Sequence, residues 1–514
     1  MRFIKKWAVG AAVLSMVLTG CSKDAAVTGD SPQGPRPLTI ALPTEIKSMD
    51  LYAHNDFVSW MAAANLYNGL LKRSPKGEIV NDLADSYTKI NDTTWEFTLK
   101  KGVKFHDGNE LTAEDVKFTL ERATKDKTLN EGTAFKSIAE VKVLEPHKLQ
   151  VLTQKPDPLL LSVVARTSAV IYPKKYIEEK GADYFNEHPV GTGPYKFVEW
   201  KRGSHVTMEP YADYFEGAAK DWSKLTFRIV PEATTRVGEL LTGGVDLIPG
   251  VASNDWPRIK GNATTELVSA NSNRVAIIVP KAAPGTPTAD KRVREAIELA
   301  IDKKLIIDKL LGGDASQTRT RVTPGSFGAN EKLFNTSLTD VEKAKQLLKD
   351  AGYANGLQLT MQSSNGRYAK DKEVAEMVVG MLAAVGIQVK LELMEWNSYL
   401  ELRNANKVGD LHMVWFANSF YDAHIMIGEH LTGSRSMEKL GYTNPQLKEI
   451  LTKAESNMNE TERAALYKQA QEIEAEERMR IYLYLEHNTY GVNKAVSFQP
   501  RLDEMIKAYE IKRK

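Results

Sequence analysis

Hydrophobic and polar positions follow two rhythms along this chain. Between about 38 and 275, short period-two runs dominate. Trp95, Phe97 and Leu99 alternate with Glu96 and Thr98, which is the spacing of a half-buried strand. A turn at Lys101-Gly102 follows, and Thr112-Ala113-Glu114-Asp115 opens a helix. Thr112 is placed to cap its first turn, and the acids sit at its positive end. Val116 and Leu120, with Phe118 and Thr119 beside them, give that helix a packing surface.

From about 276 the period lengthens. Val293, Ala296, Ile297, Ala300 and Ile301 fall at i, i+3, i+4, i+7 and i+8, the mark of an amphipathic helix. Leu357–Met361 reads as a strand. Asp371–Val385 reads as a helix with Val374, Met377, Val378, Met381 and Leu382 on one face, and Gly386 stands where a terminating glycine belongs. Ile387, Val389, Leu391 and Leu393 then alternate as the next strand. A strand–helix–strand unit of this length predicts parallel pairing. The stretch from Val279-Pro280 to Pro284-Gly285 reads as a crossing between lobes. Met479–Leu485 predicts one more strand, followed by HNTYGVNKAV and a short tail. Neither half shows an internal repeat.

The N-terminus obeys neither rhythm. Residues 1–20 are a basic start, an apolar run from Trp7 to Leu18 and small residues, the layout of a secretory signal too short to span a bilayer comfortably. Residues 22–37 hold two glycines and three prolines, a flexible tether. No later apolar segment approaches 18 residues, so the body is expected outside the cytoplasm and not embedded in a membrane.

Composition narrows the class. The 514 residues are 42% hydrophobic, 26% charged and 8% aromatic, which is ordinary for globular domains and excludes collagen-like, coiled-coil and wholly disordered chains. The signal-like segment carries three of the 68 basic residues and none of the 66 acids, so the remainder is close to neutral. That balance argues against nucleic acid as a partner. A single cysteine, Cys21, excludes any internal disulfide framework.

Catalytic chemistry is hard to find. No HExxH, no Cys/His ligand spacing, no GxSxG elbow and no P-loop occurs. Gly191-Thr192-Gly193-Pro194 is only superficially a phosphate loop, because the strand-like YKFVEW follows where a helix should begin. His412, His424 and His430 cluster within nineteen residues, the one hint of a metal or metal-chelate contact. Acids such as Glu121 and Glu486 carry no distinguishing pattern. A secreted hydrolase would need an activated nucleophile beside a base, and none is visible.

Several blocks resemble one family. WEFTLKKGVKFHDGNELTAEDVKFTLER (95–122), PVGTGPYKFVEWKRG (189–203), RIVPEATTRVGELLTGGVDLI (228–248), KRVREAIELAIDKKLIIDKLLGG (291–313) and YGVNKAVSFQPRLDE (490–504) occur in order. Together they resemble the extracytoplasmic solute-binding proteins of the oligopeptide, dipeptide and nickel class of ABC importers, also called family 5. Leu18-Thr19-Gly20-Cys21 is similar to the lipobox of bacterial lipoproteins, in which the cysteine is acylated and becomes the new N-terminus. Several acyl chains are needed, because one alone anchors only marginally.

The resemblance implies an α/β fold: a two-lobed, periplasmic-binding-protein-like clamshell of type II with an extra subdomain in the first lobe. The expected divisions are a signal peptide at 1–20, lipidated Cys21 and tether at 21–37, lobe I at 38–275 plus 488–514 with an insert at about 58–190, and lobe II at 276–487. It implies a monomeric, lipid-anchored receptor, not an enzyme, with no cofactor and no resident metal. The receptor encloses a peptide or peptide-like solute by hinge closure. It then docks on a membrane permease, whose ATPase supplies the energy. The site lies on the periplasmic or outer face of the cell membrane. A nickel or metal-chelate receptor is the alternative within the same architecture, and a signalling receptor that presents peptide without import is another.

Candidate ligand contacts follow from matched positions. Peptide-binding members resemble W-x-A-D-Y-x-D/E-P, whose first acid pairs with the ligand's amino group. Here Trp415 and Ala417 match, Asn418 replaces that acid, Asp422 is retained, and Ala423 replaces the proline. An amide supplies a hydrogen bond without a compensating charge, so Asp422 is the expected source of charge. Arg367 and Tyr368 follow the strand at 357–361, where crevices outside strand ends take ligands. Arg367 suits a carboxylate, and Tyr368 offers a ring and a hydroxyl. In the first lobe Glu45 matches a cleft-facing acid, and Tyr67 is expected to offer an aromatic wall.

Overall fold

The computed structural model describes residues 35–54, 56–428 and 437–514. The signal segment, Cys21, the tether up to Gly34 and His430 lie outside the described residues. None of the described helices is long and apolar enough to cross a membrane.

One large sheet organises the body. In order across it run Ile387–Met394, Leu357–Ser364, Leu411–Ala417, Thr265–Pro280, Ile481–Asn493, Leu247–Pro249, Arg36–Leu42, Trp222–Ile229, His205–Pro210 and Tyr195–Lys201; Ala315–Gln317 also pairs with Ile481–Asn493. The two long strands at its centre are antiparallel to each other, and their pairing is irregular between Asn271 and Val275.

Separate cores lie on either side of that irregularity, which gives the molecule two lobes. One gathers Leu38, Ile40, Leu225 and Phe227 with Val492 and Ile506. The other gathers Ile278, Ile297, Met361, Val378, Ile387, Met413 and Leu483. The C-terminal tail packs into the first: Trp222 Nε1 donates to Ile511 O at 2.9 Å, and Asn65 Nδ2 donates to Ile506 O at 2.9 Å.

The period-3.6 and period-2 segments form the elements their patterns predict. Lys291–Ala300 and Asp371–Ala383 are helices with apolar faces on the second core. Gly386 takes φ 93°, a left-handed turn open to glycine. Leu357–Ser364 and Ile387–Met394 pair in parallel over eight residues. In the first part of the chain, Thr94–Leu99 belongs to a four-stranded sheet with Ala84–Asn91, Lys148–Thr153 and Ile138–Glu145. Helix Ala113–Lys125 starts where Thr112 N donates to Asp115 at 2.9 Å.

Two strands outrun their hydrophobic runs. The last long strand continues past Leu485 to Asn493, through the polar residues His487, Asn488 and Thr489. Val279-Pro280 closes a 16-residue strand. Backbone pairing between the two carries them across polar stretches that no apolar pattern marks.

Candidate functional site

Leu357–Ser364 runs parallel to both Ile387–Met394 and Leu411–Ala417, so the carboxyl ends of all three strands open on one edge. The loop after Ser364 is drawn together by one buried carboxylate. Asp371 accepts from Ser364 Oγ (2.8 Å), Gly366 N (2.8 Å), Arg367 N (3.0 Å) and Tyr368 N (3.2 Å). With its backbone so held, the loop presents Arg367 and Tyr368 from a fixed base. Arg367 is exposed, and Tyr368 is half-buried.

These side chains join an aromatic shelf. Tyr368 stacks on Trp415 with centroids 4.7 Å apart and planes 18° apart. Trp396, which opens the helix Trp396–Asn404 after the neighbouring strand, meets Tyr368 edge-on at 5.9 Å. The Arg367 guanidinium lies 5.1 Å from the Trp396 ring and 5.5 Å from the Tyr368 ring. Arg274, from the long strand Thr265–Pro280, lies 5.6 Å from the Tyr368 ring. A planar, cation-edged shelf of this kind suits amide planes and carboxylates.

Charge is concentrated where the two long strands cross between lobes. Arg274 Nε stands 3.6 Å from Glu486 Oε2, and the two side chains keep 32% and 20% of their exposure. Burial pushes the Glu486 carboxyl up to about 7, Glu504 pushes in the same direction, and Arg274 and Trp415 pull against them. Burial also raises Glu504, again against the pull of Arg274.

The residues expected to carry the ligand's cation are placed differently. Asn418 is 0% exposed. Its Nδ2 donates to Ser326 Oγ (3.1 Å), and its Oδ1 accepts from Asp422 N (3.4 Å). Asp422, 1% exposed, accepts from both Arg463 amino groups at 2.9 and 2.7 Å and from His424 N at 2.8 Å. Its charge is neutralised within the second lobe, where it caps helix Ala423–Ile427. The structure therefore brings Arg367, Tyr368 and Trp415 together and turns Asn418 and Asp422 inward.

In the first lobe Glu45 follows strand Arg36–Leu42, beyond the carboxyl end of a parallel pair with Trp222–Ile229. It is half-buried, and its Oε1 has no hydrogen-bond partner. Tyr67 belongs to the core. Its hydroxyl donates to Met49 O at 2.9 Å, and its ring meets Tyr172 edge-on at 5.2 Å.

The histidines do not converge on a cation. Burial holds His412 down at about 3, with Arg403 and Arg480 adding to the effect. His424 Nδ1 hydrogen-bonds the Tyr467 hydroxyl at 2.9 Å. Among the described residues no group of three or more His, Cys, Asp or Glu is arranged to hold a metal ion.

Trp396, Arg274 and Glu486 stand at this candidate site although the sequence pattern did not single them out. A signal for two of them exists: Arg274 immediately precedes the buried run VAIIVP, and Glu486 immediately follows MRIYLYL. A lone charge at the end of an otherwise buried strand costs free energy unless it faces a partner or a cleft.

Residues 78–438, more than half of the chain, match the bacterial extracellular solute-binding proteins, family 5 Middle. The glutathione-binding protein GsiB of Salmonella choleraesuis is 29% identical over 360 residues, 70% of this chain and 69% of that protein. The structure of HbpA2 from Haemophilus parasuis superposes with a TM-score of 0.84 at 23% identity, covering 93% of this chain and all of that one. The oligopeptide-binding protein AppA from Bacillus subtilis, in complex with a nonapeptide, gives a TM-score of 0.72 at 23% identity, covering 94% of this chain and 100% of that one.

Proposed function

Because the chain belongs to the family 5 bacterial extracellular solute-binding proteins, the receptors and not the enzymes of ABC importers, we propose that it captures a short peptide or peptide-like zwitterion between its lobes and hands it to a permease. The observation that carries this reading is the shelf of Arg367, Tyr368, Trp396 and Trp415 across three parallel strand ends. Rings stack on amide planes, and a guanidinium at their edge takes a carboxylate with paired hydrogen bonds. A relative named for glutathione, itself a tripeptide, supports the same solute class.

In this reading residues 38–275 with 488–514 form one jaw, carrying an insert at about 58–190, and 276–487 form the other. Glu45 is the first jaw's contribution to the cleft. The mature protein is a monomer tethered to the bacterial membrane through lipidated Cys21. The nickel-chelate alternative draws no support from His412 or His424, since one is buried in a strand and the other is bound to Tyr467.

Glutathione and a set of di- to pentapeptides test the reading. A true ligand raises the melting temperature, because it binds only the folded state, and it reduces the radius of gyration in solution scattering as the jaws close. If no member of the set does either, the solute class is wrong. Cys21→Ser tests the anchor separately and is expected to release the protein from the membrane fraction.

A further inference from the structure

We propose that the turn at 419–421 of the second lobe is a latch, with Phe420 as its bolt, that holds part of the ligand-free population closed and so adds to the affinity for every solute alike. The proposal rests on the two-jawed receptor reading and goes beyond it, because it concerns the protein with no solute bound.

Phe420 leaves its own lobe. Its half-buried ring packs against the core of the first lobe. There the Arg166 guanidinium lies 4.3 Å from the centre of the Phe420 ring and 6.0 Å from that of Trp60. Glu131 holds Arg166 in place at 2.5 Å. The Phe420 carbonyl accepts from Arg73 Nη2 at 2.7 Å, and the Arg73 guanidinium lies 4.9 Å from the centre of the Tyr421 ring. The Tyr421 hydroxyl donates to Leu502 O in the C-terminal tail at 3.2 Å. Ring, carbonyl and hydroxyl thus each reach a partner in the other lobe.

Both faces are shaped for the meeting. On the first lobe, Arg73 Nη1 donates to Gly77 O at 2.7 Å and Arg501 Nη2 donates to Arg73 O at 2.7 Å, so turn and tail form one surface. On the second lobe, Phe327 N donates to Tyr421 O at 2.8 Å, which ties the latch to the turn at Gly325. A Cβ on Gly325 would lie 2.7 Å from Leu502 Cδ2 and 3.1 Å from Lys76 O, and one on Gly77 would lie 2.9 Å from the same Leu502 methyl. Two glycines from opposite lobes therefore close on one leucine.

Tyr421 has φ 54°, in the left-handed region that a bulky residue adopts only when its surroundings impose it. Strain on one side and cross-lobe contacts on the other leave closed and open states close in free energy, the condition under which a bound solute tips the balance. None of these residues belongs to the shelf of Arg367, Tyr368, Trp396 and Trp415. Closure assisted here therefore raises affinity without reading the solute.

Solution scattering of the ligand-free full chain tests the latch. Phe420→Ala is expected to move the open-to-closed ratio about tenfold toward open and to raise the radius of gyration. Leu502→Ala, which trims the other lobe's face, should act in the same direction. Phe420→Tyr, which keeps the ring beside Arg166, should match the wild type. Glutathione and any di- to pentapeptide that binds should lose affinity in Phe420→Ala by one common factor of up to about ten, because only the closed fraction grips the solute. An unchanged radius of gyration in both alanine variants, or loss of cooperative melting in both, makes the junction fixed core and overturns the latch. Factors that differ from solute to solute overturn it as well, since Phe420 would then touch the ligand. The scattering arm needs no solute, so failure of every peptide to bind overturns the receptor reading and not the latch.

Discussion

Two regions of the molecule are built in opposite ways. In the first lobe, the segment Gly191–Tyr195 is docked on Asn65–Tyr67 through backbone: Gly193 N donates to Leu66 O at 2.9 Å and Tyr195 N to Asn65 O at 3.2 Å. His106 closes the joint, bonding Gly193 O through Nε2 at 3.0 Å while its Nδ1 accepts from Gly191 N at 3.2 Å. In the cleft, by contrast, single residues from separate segments meet through their side chains. Contiguous words of sequence are demanded where backbone meets backbone; scattered letters suffice where side chain meets solute. The most recognisable blocks of this chain therefore mark its joints and not its ligand.

The sharpest break in that contrast is Gly193→Ala. A Cβ there would lie 2.3 Å from the Leu66 carbonyl carbon and 2.6 Å from Tyr67 N, backbone that no rotamer change can move. A loss above about 5 kcal/mol, exceptional for one substitution, is expected and would appear as absence of a cooperative melting transition. A soluble, normally melting variant would mean that the joint is not rigid.

Asp422→Ala comes next. It strands the buried Arg463 guanidinium and should cost about 3–5 kcal/mol in denaturant titration. Ligand affinity of the folded fraction should stay unchanged, since the ion pair belongs to the second lobe's interior. A variant of normal stability that fails to bind would return Asp422 to the cleft.

A smaller effect is expected from pH. Glu486 titrates at about 7 in the folded state against about 4.5 otherwise, so its contribution to stability is complete below the lower value and lost as pH rises through the higher. The melting temperature of the ligand-free protein should fall between pH 5 and 8, and less steeply in Glu486→Gln. Identical pH profiles would show that this carboxyl is ordinary.

The smallest change is Tyr368→Ala. Removing one stacked ring should weaken ligand binding by about 0.5–1.5 kcal/mol with little shift in melting temperature. A large loss of stability instead would mean that the shelf is core and not a binding wall.

The elements were legible because their periods are clean: Val293 to Ile301 and Ile387 to Leu393 place apolar residues on one face without interruption. The last strand was read short because His487, Asn488 and Thr489 break the apolar pattern where backbone pairing continues. In the site, Arg367, Tyr368 and Trp415 could be found from strand ends and matched positions. Asp422 could not be distinguished from a ligand acid, since its partner Arg463 is 41 residues away and on another helix. Glu486 needed the fold, because nothing local says that Arg274 of the other long strand stands beside it.

The pair of long strands has a mechanical meaning. A sheet shared by both lobes acts as a torsion bar: one jaw can rotate against the other by twisting the ladder. Slack is concentrated where register fails between Asn271 and Val275, next to Arg274. In the receptor reading proposed above, a solute on the shelf beside Arg274 presses on the axle, not on the rim. On that reading, a displacement of a fraction of an ångström at the axle becomes a wide sweep at the outer edge, and a small chemical event is amplified into a large change of shape.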